Sequence, residues 1–212
     1  MSLQKKPHRF FERFINNDLE ELQLYLADKQ KEILAGKISS IPQDKLANFT
    51  DQNGPATQLG SYYNIFDFDH RAIKALKNAL KDCMINDICE YYGIDYNSKD
   101  YMIHGWFNLD YKTEGGGVSP LDHPEHFHDH MGGEGAPTFH GYYCVNAEPS
   151  STWYKIDGET LFENVNTNNR AIISETGHPH GRDDWYKQRP RITIAYDIAP
   201  SDSGVSDQWV KL

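Results

Sequence analysis

Histidines are concentrated in two short stretches of this chain. Five of the ten lie between His123 and His140, and two more stand at His178 and His180. Alternate side chains of an extended strand share a face, so histidines two residues apart in the run 126–130 point the same way. Neutral imidazole binds iron, zinc, copper and nickel, and a catalytic mononuclear site uses three protein ligands and leaves other positions open. The spacing therefore predicts a metal centre made by one such pair and His180.

Two overlapping pairs in that run are candidate ligands. His128 and His130 are favoured, because they lie nearer the glycine-rich segment and the β-prone run that follow. His126 and His128 are the alternative pair. With the favoured pair, Asp129 points to the opposite face of the strand and is a lesser candidate ligand.

An arginine follows the last histidine at a spacing that suggests anion binding. Arg191 lies eleven residues after His180, near the start of the β-prone run 190–198. Alternation gives one face of that strand to four residues: Arg191, Thr193, Ala195 and Asp197. If this face lines the interior, a buried guanidinium lies near the metal and needs an anion, for which a carboxylate is the best geometric match.

Length and composition limit what else the chain can be. Its 212 residues fit one domain with a substantial core. A formal net charge of -10 argues against broad binding to nucleic acid. No apolar run has the length of a signal-peptide core or of a membrane span. Three cysteines without a paired motif suit a reducing compartment, so we expect a cytoplasmic protein.

The first 97 residues are predicted to form a helical N-terminal support region. Apolar residues at helical spacing predict a helical hairpin over about 7–36, with Asn17 or Asp18 capping its second helix. A second apolar stripe predicts one long helix that begins after Asp69 and ends at Gly93. The segment 49–68 between them, rich in Gly, Asn and aromatic residues, is predicted to be an ordered loop or an irregular hairpin.

Residues 98–212 are predicted to form the β core of a single domain, 1–212. Six β-prone runs are separated by turn residues: 101–109, 139–147, 151–156, 160–165, 170–176 and 190–198. Asp157-Gly158 signals a hairpin between the third and fourth runs. Many short strands without helical patterns among them predict an antiparallel sandwich or barrel. The fold class expected is therefore mainly β with N-terminal helices (α+β).

These residues together resemble the iron(II)- and 2-oxoglutarate-dependent oxygenases. The resemblance rests on the HxH segment, the run His140-Gly141-Tyr142-Tyr143, and a late histidine followed eleven residues on by Arg191-Ile192-Thr193-Ile194. A strand like Trp106-Phe107-Asn108 precedes the HxH motif in the similar group. The resemblance covers roughly residues 100–198 and is nearest to a largely uncharacterised group of marine bacteria and bacteriophages. A phage-encoded member would work in the host cytoplasm.

The resemblance implies a fold, two cofactors and an activity. It implies a double-stranded β-helix (jelly roll, cupin-like barrel) in which the HxH region and His180 hold Fe(II) and Arg191 binds the carboxylate of 2-oxoglutarate. Thr193 is the next candidate for that carboxylate, and lesser candidates for the cofactor pocket are Arg189, Tyr143 and Trp106. The implied enzyme is a dioxygenase, a hydroxylase that consumes O2 and yields succinate and CO2, with no catalytic side chain beyond the metal centre. Most relatives use a carboxylate as second ligand, whereas this chain has three histidines.

Two other functions fit the same residues. The pattern His128-x-His130-xxx-Glu134 also resembles the cupin metal motif, with His180 as its last ligand. A cupin-type dioxygenase or isomerase needs no 2-oxoglutarate and gives Arg191 no role. The third hypothesis is a non-enzymatic β-sandwich module that binds a metal. The sequence names neither the prime substrate, a small molecule or a protein, nor the oligomeric state.

Overall fold

The fold is built from two antiparallel β-sheets. The structure, a computed structural model, describes residues 8–47, 55–96, 100–111, 127–130, 138–156 and 160–212. The strands in these ranges are β1 Phe11–Phe14, β2 Tyr101–Asp110, β3 Phe139–Asn146, β4 Ser151–Ile156, β5 Thr160–Val165, β6 Arg170–Glu175, β7 His180–Arg182, β8 Arg191–Pro200 and β9 Val210–Lys211. The larger sheet has the order β1-β6-β3-β8-β2-β9, and the smaller has the order β5-β4-β7.

Helices fill most of the N-terminal part of the chain. They are α1 Leu19–Leu34, α2 Gln43–Leu46, α3 Pro55–Gln58, α4 Arg71–Cys83 and α5 Cys89–Tyr92. A π-helical turn, Met84–Ile88, joins α4 to α5. Short 3-10 turns lie at Gly60–Tyr62, Ile65–Asp67 and Ser201–Ser203. No helix among the described residues is long and apolar enough to cross a membrane.

The two main helices begin where short polar side chains can cap them. Asp18 caps α1, its carboxylate accepting a hydrogen bond from the Glu21 backbone N–H at 3.1 Å. The second long helix starts one residue later than predicted, because His70 rather than Asp69 is its N-cap and accepts from the Ala72 N–H through Nδ1. Gly93 ends this helical run in the left-handed conformation, as predicted.

The prediction of a helical hairpin over 7–36 is wrong in its first half. Phe11–Phe14 form β1, which pairs antiparallel with β6 from Phe11↔Ile173 to Phe14↔Arg170. Phe11 is buried and Phe14 is exposed, so the segment alternates as an edge strand does. Its aromatic positions fit the periodicity of a helix as well as that of a strand, and pairing with the edge of β6 favours the strand.

The six predicted β runs all form strands, with ends shifted by up to two residues. Besides β1, the strands β7 and β9 were not predicted, because each is short and β7 has no apolar side chain. The predicted Asp157-Gly158 turn lies outside the described residues, although Ile156 pairs with Thr160 on either side of it. The segment 49–68 was predicted as a loop, and its described part consists of short helical turns.

The core has two parts that lie on opposite sides of the larger sheet. The main cluster joins the helices to one face of that sheet, with Leu22, Leu76 and Phe107 completely buried. A smaller cluster between the two sheets contains Tyr142 and Ile172 of the larger sheet and Tyr154 of the smaller one. The helices therefore support the back of the sheet and leave the space between the sheets for a site.

Candidate active site

A backbone bridge brings the first histidine segment to the second. His128 and His180 form an isolated antiparallel β-bridge, with N–H to carbonyl distances of 3.0 and 2.8 Å. His180 begins β7, which pairs with β4 in the smaller sheet. The two stretches, some fifty residues apart in the sequence, thus meet as neighbouring strands.

Three imidazoles converge at this bridge. His128, His130 and His180 each offer one ring nitrogen, and these atoms all lie within 4.8 Å of one another. The ring centroids are 4.5 Å apart for His128 and His180, and 5.2 Å apart for His130 and His180. The structure therefore brings together the three residues that the sequence analysis favoured as metal ligands. His126 and Glu134, the alternatives, lie outside the described residues.

A carboxylate from the larger sheet contacts one of these histidines. Asp197 of β8 lies with Oδ1 2.7 Å from His130 Nδ1, and both side chains are largely buried. A histidine that binds a metal through one nitrogen usually donates its other N–H to such a carboxylate, which fixes the ring and its tautomer. Asp197 therefore orients the His130 ring so that Nε2 is the free ligand atom.

The protein environment shifts the pKa values of two of these histidines in opposite directions. Burial, together with the nearby rings of His128 and His130, lowers the pKa of His180 to about 3. The pKa of His130 is raised instead: burial lowers it, and the hydrogen bond and charge of Asp197 raise it by more. A metal ion needs neutral imidazoles, so His180 is ready to bind and His130 must lose its proton to do so.

A cavity of about 820 Å³ opens beside the three imidazoles. Its walls come from both sheets, from the end of α3 and from the 3-10 turn that follows it. Alternate residues of β2 face it: His104, Trp106, Asn108 and Asp110. Alternate residues of β8 face it too: Arg191, Thr193, Ala195 and Asp197. The predicted face of the last long strand therefore lines the interior, as the period-two pattern required.

Register places the charged residues of β8 at opposite ends of the cavity. Asp197 lies in the same cross-strand row as His104 of β2 and His140 of β3. Arg191, six residues earlier, pairs with Asp110. Six residues of strand span about 20 Å between Cα atoms. The side chains at the two ends reach inward, so a ligand shorter than this distance would extend from the imidazoles to the Arg191 guanidinium.

Arg191 is fully buried and only loosely held by the protein. Its side chain is 3% exposed. Its contacts among the described residues are long: Nε to Ser150 Oγ is 3.4 Å, Nη1 to Thr193 Oγ1 is 3.5 Å, and Nη1 to Asp110 Oδ2 is 3.6 Å. Asp110 is nearer to Arg182, at 3.0 Å. Arg191 therefore keeps donors for a further anion in the cavity.

The lesser candidates divide into residues that reach the cavity and residues that do not. Trp106 and Thr193 line it, and the Trp106 ring stacks on His130 with centroids 5.9 Å apart. Tyr143 points to the helical side, where its hydroxyl donates to Asn169 and accepts from Asn17. Arg189 is exposed and is not part of the cavity wall. Asp129, next to the ligand pair, lies outside the three-histidine cluster.

Sequence reasoning missed two residues of the site. Asp197 was placed on the correct face of β8 but given no role. Its position on the same face as Arg191 was the signal that it could belong to the site. His140 was not proposed as a site residue, and its Nε2 lies 3.0 Å from Ser174 Oγ. The ring also stacks on His180, with centroids 4.6 Å apart, and lines the cavity. Burial and the neighbouring histidines hold its pKa well below the ordinary value.

Known proteins resemble this chain in fold. No protein-family model matches the sequence, and no curated protein matches it significantly. Among solved structures, a prolyl-4-hydroxylase from Pseudomonas putida is similar, with 8% identity, 92% of this chain and 87% of that chain covered, and a TM-score of 0.52. A prolyl hydroxylase from Trichoplax adhaerens, in complex with a hypoxia inducible factor peptide, has 14% identity, coverages of 92% and 84%, and a TM-score of 0.47. A full-length protein from Neurospora crassa, in complex with alpha-KG and thymine, has 11% identity, coverages of 95% and 83%, and a TM-score of 0.46.

The first of these similarities shows that the chain shares its fold with a hydroxylase. It extends over nearly the whole of both chains. At 8% identity it bears on the arrangement of the strands and helices and not on the reaction. The chemistry therefore depends on the residues of the site.

Proposed function

We propose that this protein is an Fe(II)- and 2-oxoglutarate-dependent oxygenase that hydroxylates a small-molecule or protein substrate. One observation carries the proposal: three converging imidazoles and a buried, loosely held arginine line the same cavity. The first group suits a metal with open positions, and the second suits a dicarboxylate that reaches it. No other pair of groups in the described residues has this arrangement.

The donor set fits a ferrous ion. Imidazole nitrogen is a common ligand of Fe(II), and three protein ligands leave positions for a chelating cosubstrate and for O2. Three neutral histidines carry one negative charge fewer than a site with two histidines and a carboxylate. Asp197 supplies that charge one hydrogen bond away, through His130.

The other end of the cavity fits the distal carboxylate of 2-oxoglutarate. Arg191 presents a guanidinium whose planar fork matches a carboxylate. Thr193 lies beside it, and the Asn108 amide donates to Thr193 Oγ1 at 3.2 Å, which orients the hydroxyl. These three side chains would hold the carboxylate and point the rest of the molecule toward the imidazoles.

The chain's own residues would position the reactants. When bound, the iron and 2-oxoglutarate supply the oxidising chemistry, with O2 consumed and succinate and CO2 released. Trp106 and Tyr142 form apolar walls that limit water near the imidazoles. Thr57, in α3, and Ser61, in the 3-10 turn that follows, line the cavity and would offer hydrogen-bonding groups to a substrate.

We propose further that the two sheets form a double-stranded β-helix. The order β2-β8-β3-β6 in the larger sheet faces the order His128-β7-β4-β5 in the smaller one, with the bridge at His128 counted as a strand. Apart from the β4-β5 hairpin, consecutive strands then alternate between the sheets, as they do in a jelly roll. The fold similarity to the Pseudomonas hydroxylase supports the same arrangement.

The test is a titration of anaerobic, Fe(II)-loaded protein with 2-oxoglutarate. Chelation of the ferrous ion by the keto acid gives a weak metal-to-ligand charge-transfer band in the visible. We expect the band in the unmodified protein, no band in His180→Ala, and at least tenfold weaker binding of 2-oxoglutarate in Arg191→Gln. Arg189→Gln is the matched control, because Arg189 is exposed and lies two residues earlier in the chain.

Other results would move the assignment to the alternatives. Bound iron without a band, together with normal metal binding in Arg191→Gln, would favour a cupin-type enzyme. Glu134→Gln should then abolish metal binding, since the cupin motif uses that residue. Protein that binds no added iron would favour a β-sandwich module without catalytic metal.

A further inference from the structure

A second cluster of metal-binding side chains lies outside the cavity. His8, Glu175 and His178 each offer one ligand atom, and these atoms all lie within 4.8 Å of one another. None of the three lines the cavity between the sheets. We propose that this cluster, the His8 cluster, is a zinc site distinct from the candidate active site.

Strand pairing explains why residues so distant in sequence meet here. β1 and β6 pair in a register that sets Phe11 opposite Ile173, so the same register carried outward sets residue 8 opposite residue 176. Glu175 is the last residue of β6. Gly177, at φ 93°, then turns the chain and brings His178 back beside His8.

The side chains are close and partly shielded from solvent. His8 Nδ1 lies 4.0 Å from Glu175 Oε2, and the His8 and His178 ring centroids are 4.1 Å apart. All three residues are half-buried. Phe10 fixes the approach to β1, since its ring packs against Tyr154 of β4 and Phe162 of β5. The cluster therefore stands on ordered backbone from three segments.

The donor set favours zinc. Two histidines and one glutamate are an established ligand set for Zn²⁺, with water as the fourth ligand. Zn–N distances of about 2.0 Å put tetrahedral ligand atoms roughly 3.3 Å apart, so rotation of the side chains by about 1 Å completes the site. Zinc also binds nitrogen sites more tightly than Fe(II) does, and no buried arginine adjoins this cluster in the described residues to bind an oxoacid.

A zinc ion here would tie the segment before β1 to the loop that leads into β7. That loop ends at His180, and His180 Nδ1 lies 3.4 Å from the backbone carbonyl oxygen of His178. Holding His178 would therefore steady the carbonyl that accepts from His180 and help to aim its Nε2. The site would be structural, acting on the candidate active site only through position.

The test counts zinc equivalents by competition with a chromophoric chelator. The unmodified metal-free protein should bind two equivalents. His8→Ala and Glu175→Gln should each bind one, or bind the second at least tenfold more weakly, while Glu20→Gln, an exposed carboxylate on α1, should bind two. His180→Ala should lose the other equivalent, and His8→Ala/His180→Ala should bind none.

The same set of variants separates this proposal from the proposed function. One equivalent in the unmodified protein, lost only in His180→Ala, would overturn the zinc site and leave the candidate active site intact. One equivalent lost only in His8→Ala would support the zinc site and count against the oxygenase. Zinc binding by His8→Ala equal to that of the unmodified protein would also overturn the proposal. Thermal unfolding shows whether each variant is folded. Zinc should raise the Tm of His180→Ala, which keeps the His8 cluster, but not that of His8→Ala/His180→Ala, which keeps neither site.

Discussion

Asp197 is placed to act on the candidate metal centre without binding the metal. Its carboxylate accepts from His130 and lies in one cross-strand row between His104 and His140. The larger family that the sequence resembles has a carboxylate as a direct ligand. In this chain the Asp197 carboxylate contacts the His130 ring instead, so its charge would act on the metal through that imidazole.

Replacing Asp197 by asparagine should weaken metal binding. A neutral amide at this position cannot accept the His130 proton as strongly, so the ring loses both its orientation and its added basicity. We expect 10- to 100-fold lower affinity for Fe(II) or Co(II), as for other lost partners of metal-binding histidines. Competition titration measures this, with Asp44→Asn on the exposed helix α2 as control. Unchanged affinity would mean that Asp197 has no positioning role.

The buried histidines should make the metal-free protein sensitive to mild acid. The folded-state pKa values of His140 and His180 are depressed, that of His180 to about 3, chiefly by burial. Unfolded histidine titrates near pH 6.5, so stability from the neutral rings is full above that pH and is lost as the pH falls below it. His130 acts in the opposite sense, since its pKa is raised.

Burial also lowers the pKa of His104. Three depressed groups outweigh one raised group, so the Tm of the metal-free protein should fall between about pH 6.5 and pH 5. Thermal unfolding in a series of buffers checks this. His140→Gln should show a shallower fall, because it removes one of the three groups whose pKa is depressed. An equal or rising Tm across this range would contradict the assignment of neutral rings to the folded state.

At the scale of elements, the edge strand β1 is the clearest departure from the sequence prediction. Its pairing with β6 extends the larger sheet and carries His8 to the zinc site proposed above. Phe11 faces the core and is 4% exposed, whereas Phe14 is 66% exposed. The same strand thus allows the stability contribution of a buried phenylalanine to be compared with that of an exposed one.

Phe11→Ala should lower the free energy of unfolding by about 3 kcal/mol, the usual cost of truncating a buried phenylalanine. Phe14→Ala should change it by less than about 0.5 kcal/mol, as surface substitutions do. Urea unfolding of both variants measures the difference. Similar values for the two would show that β1 does not pack as described.

β3 depends on a glycine at its contact with β6. A Cβ on Gly141 would meet the backbone oxygen of Ile172 and would lie 2.7 Å from Cε2 of Tyr196. Gly141→Ala should therefore destabilise the fold by at least about 3 kcal/mol, because strand backbone has to move. Gly93→Ala, where a Cβ meets nothing within 4 Å, should cost only about 1 kcal/mol for its positive φ. Equal losses would contradict this packing.

Sequence patterns predicted helices and strands well where the spacing of the residues fitted only one kind of secondary structure. Period-two alternation gave the cavity-facing residues of β8, and the αL preference of glycine gave the helix end at Gly93. The patterns failed at Phe11–Phe14, whose apolar spacing suits helix and strand alike, and at β7, whose His-Gly-Arg sequence has no apolar side chain. In both places the partner strand determines the conformation, and a partner is not visible in a local pattern.

At the scale of the whole molecule, the site results from closing two sheets over one cavity. The three-histidine cluster could be predicted because two of its members lie two residues apart and the third has a fixed spacing to Arg191. The loose pairing of Arg191 with Asp110 and the contact of Asp197 with His130 could not, since both depend on register between strands far apart in sequence. The strands and the three-histidine cluster thus follow from local patterns, whereas the electrostatic contacts of the site follow from how the strands assemble.

Trp106 stacks on His130, so the fluorescence of its indole should respond to what binds in the cavity. Indole emission is sensitive to a transition-metal ion or a keto acid within contact range, and this indole lies in the cavity wall beside a candidate ligand. Trp185 is buried at 2% exposure and does not line the cavity, so its emission should change less when the cavity is occupied. Occupancy of the cavity can therefore be followed by intrinsic fluorescence in unlabelled protein, at concentrations far below those needed to see a visible absorption band.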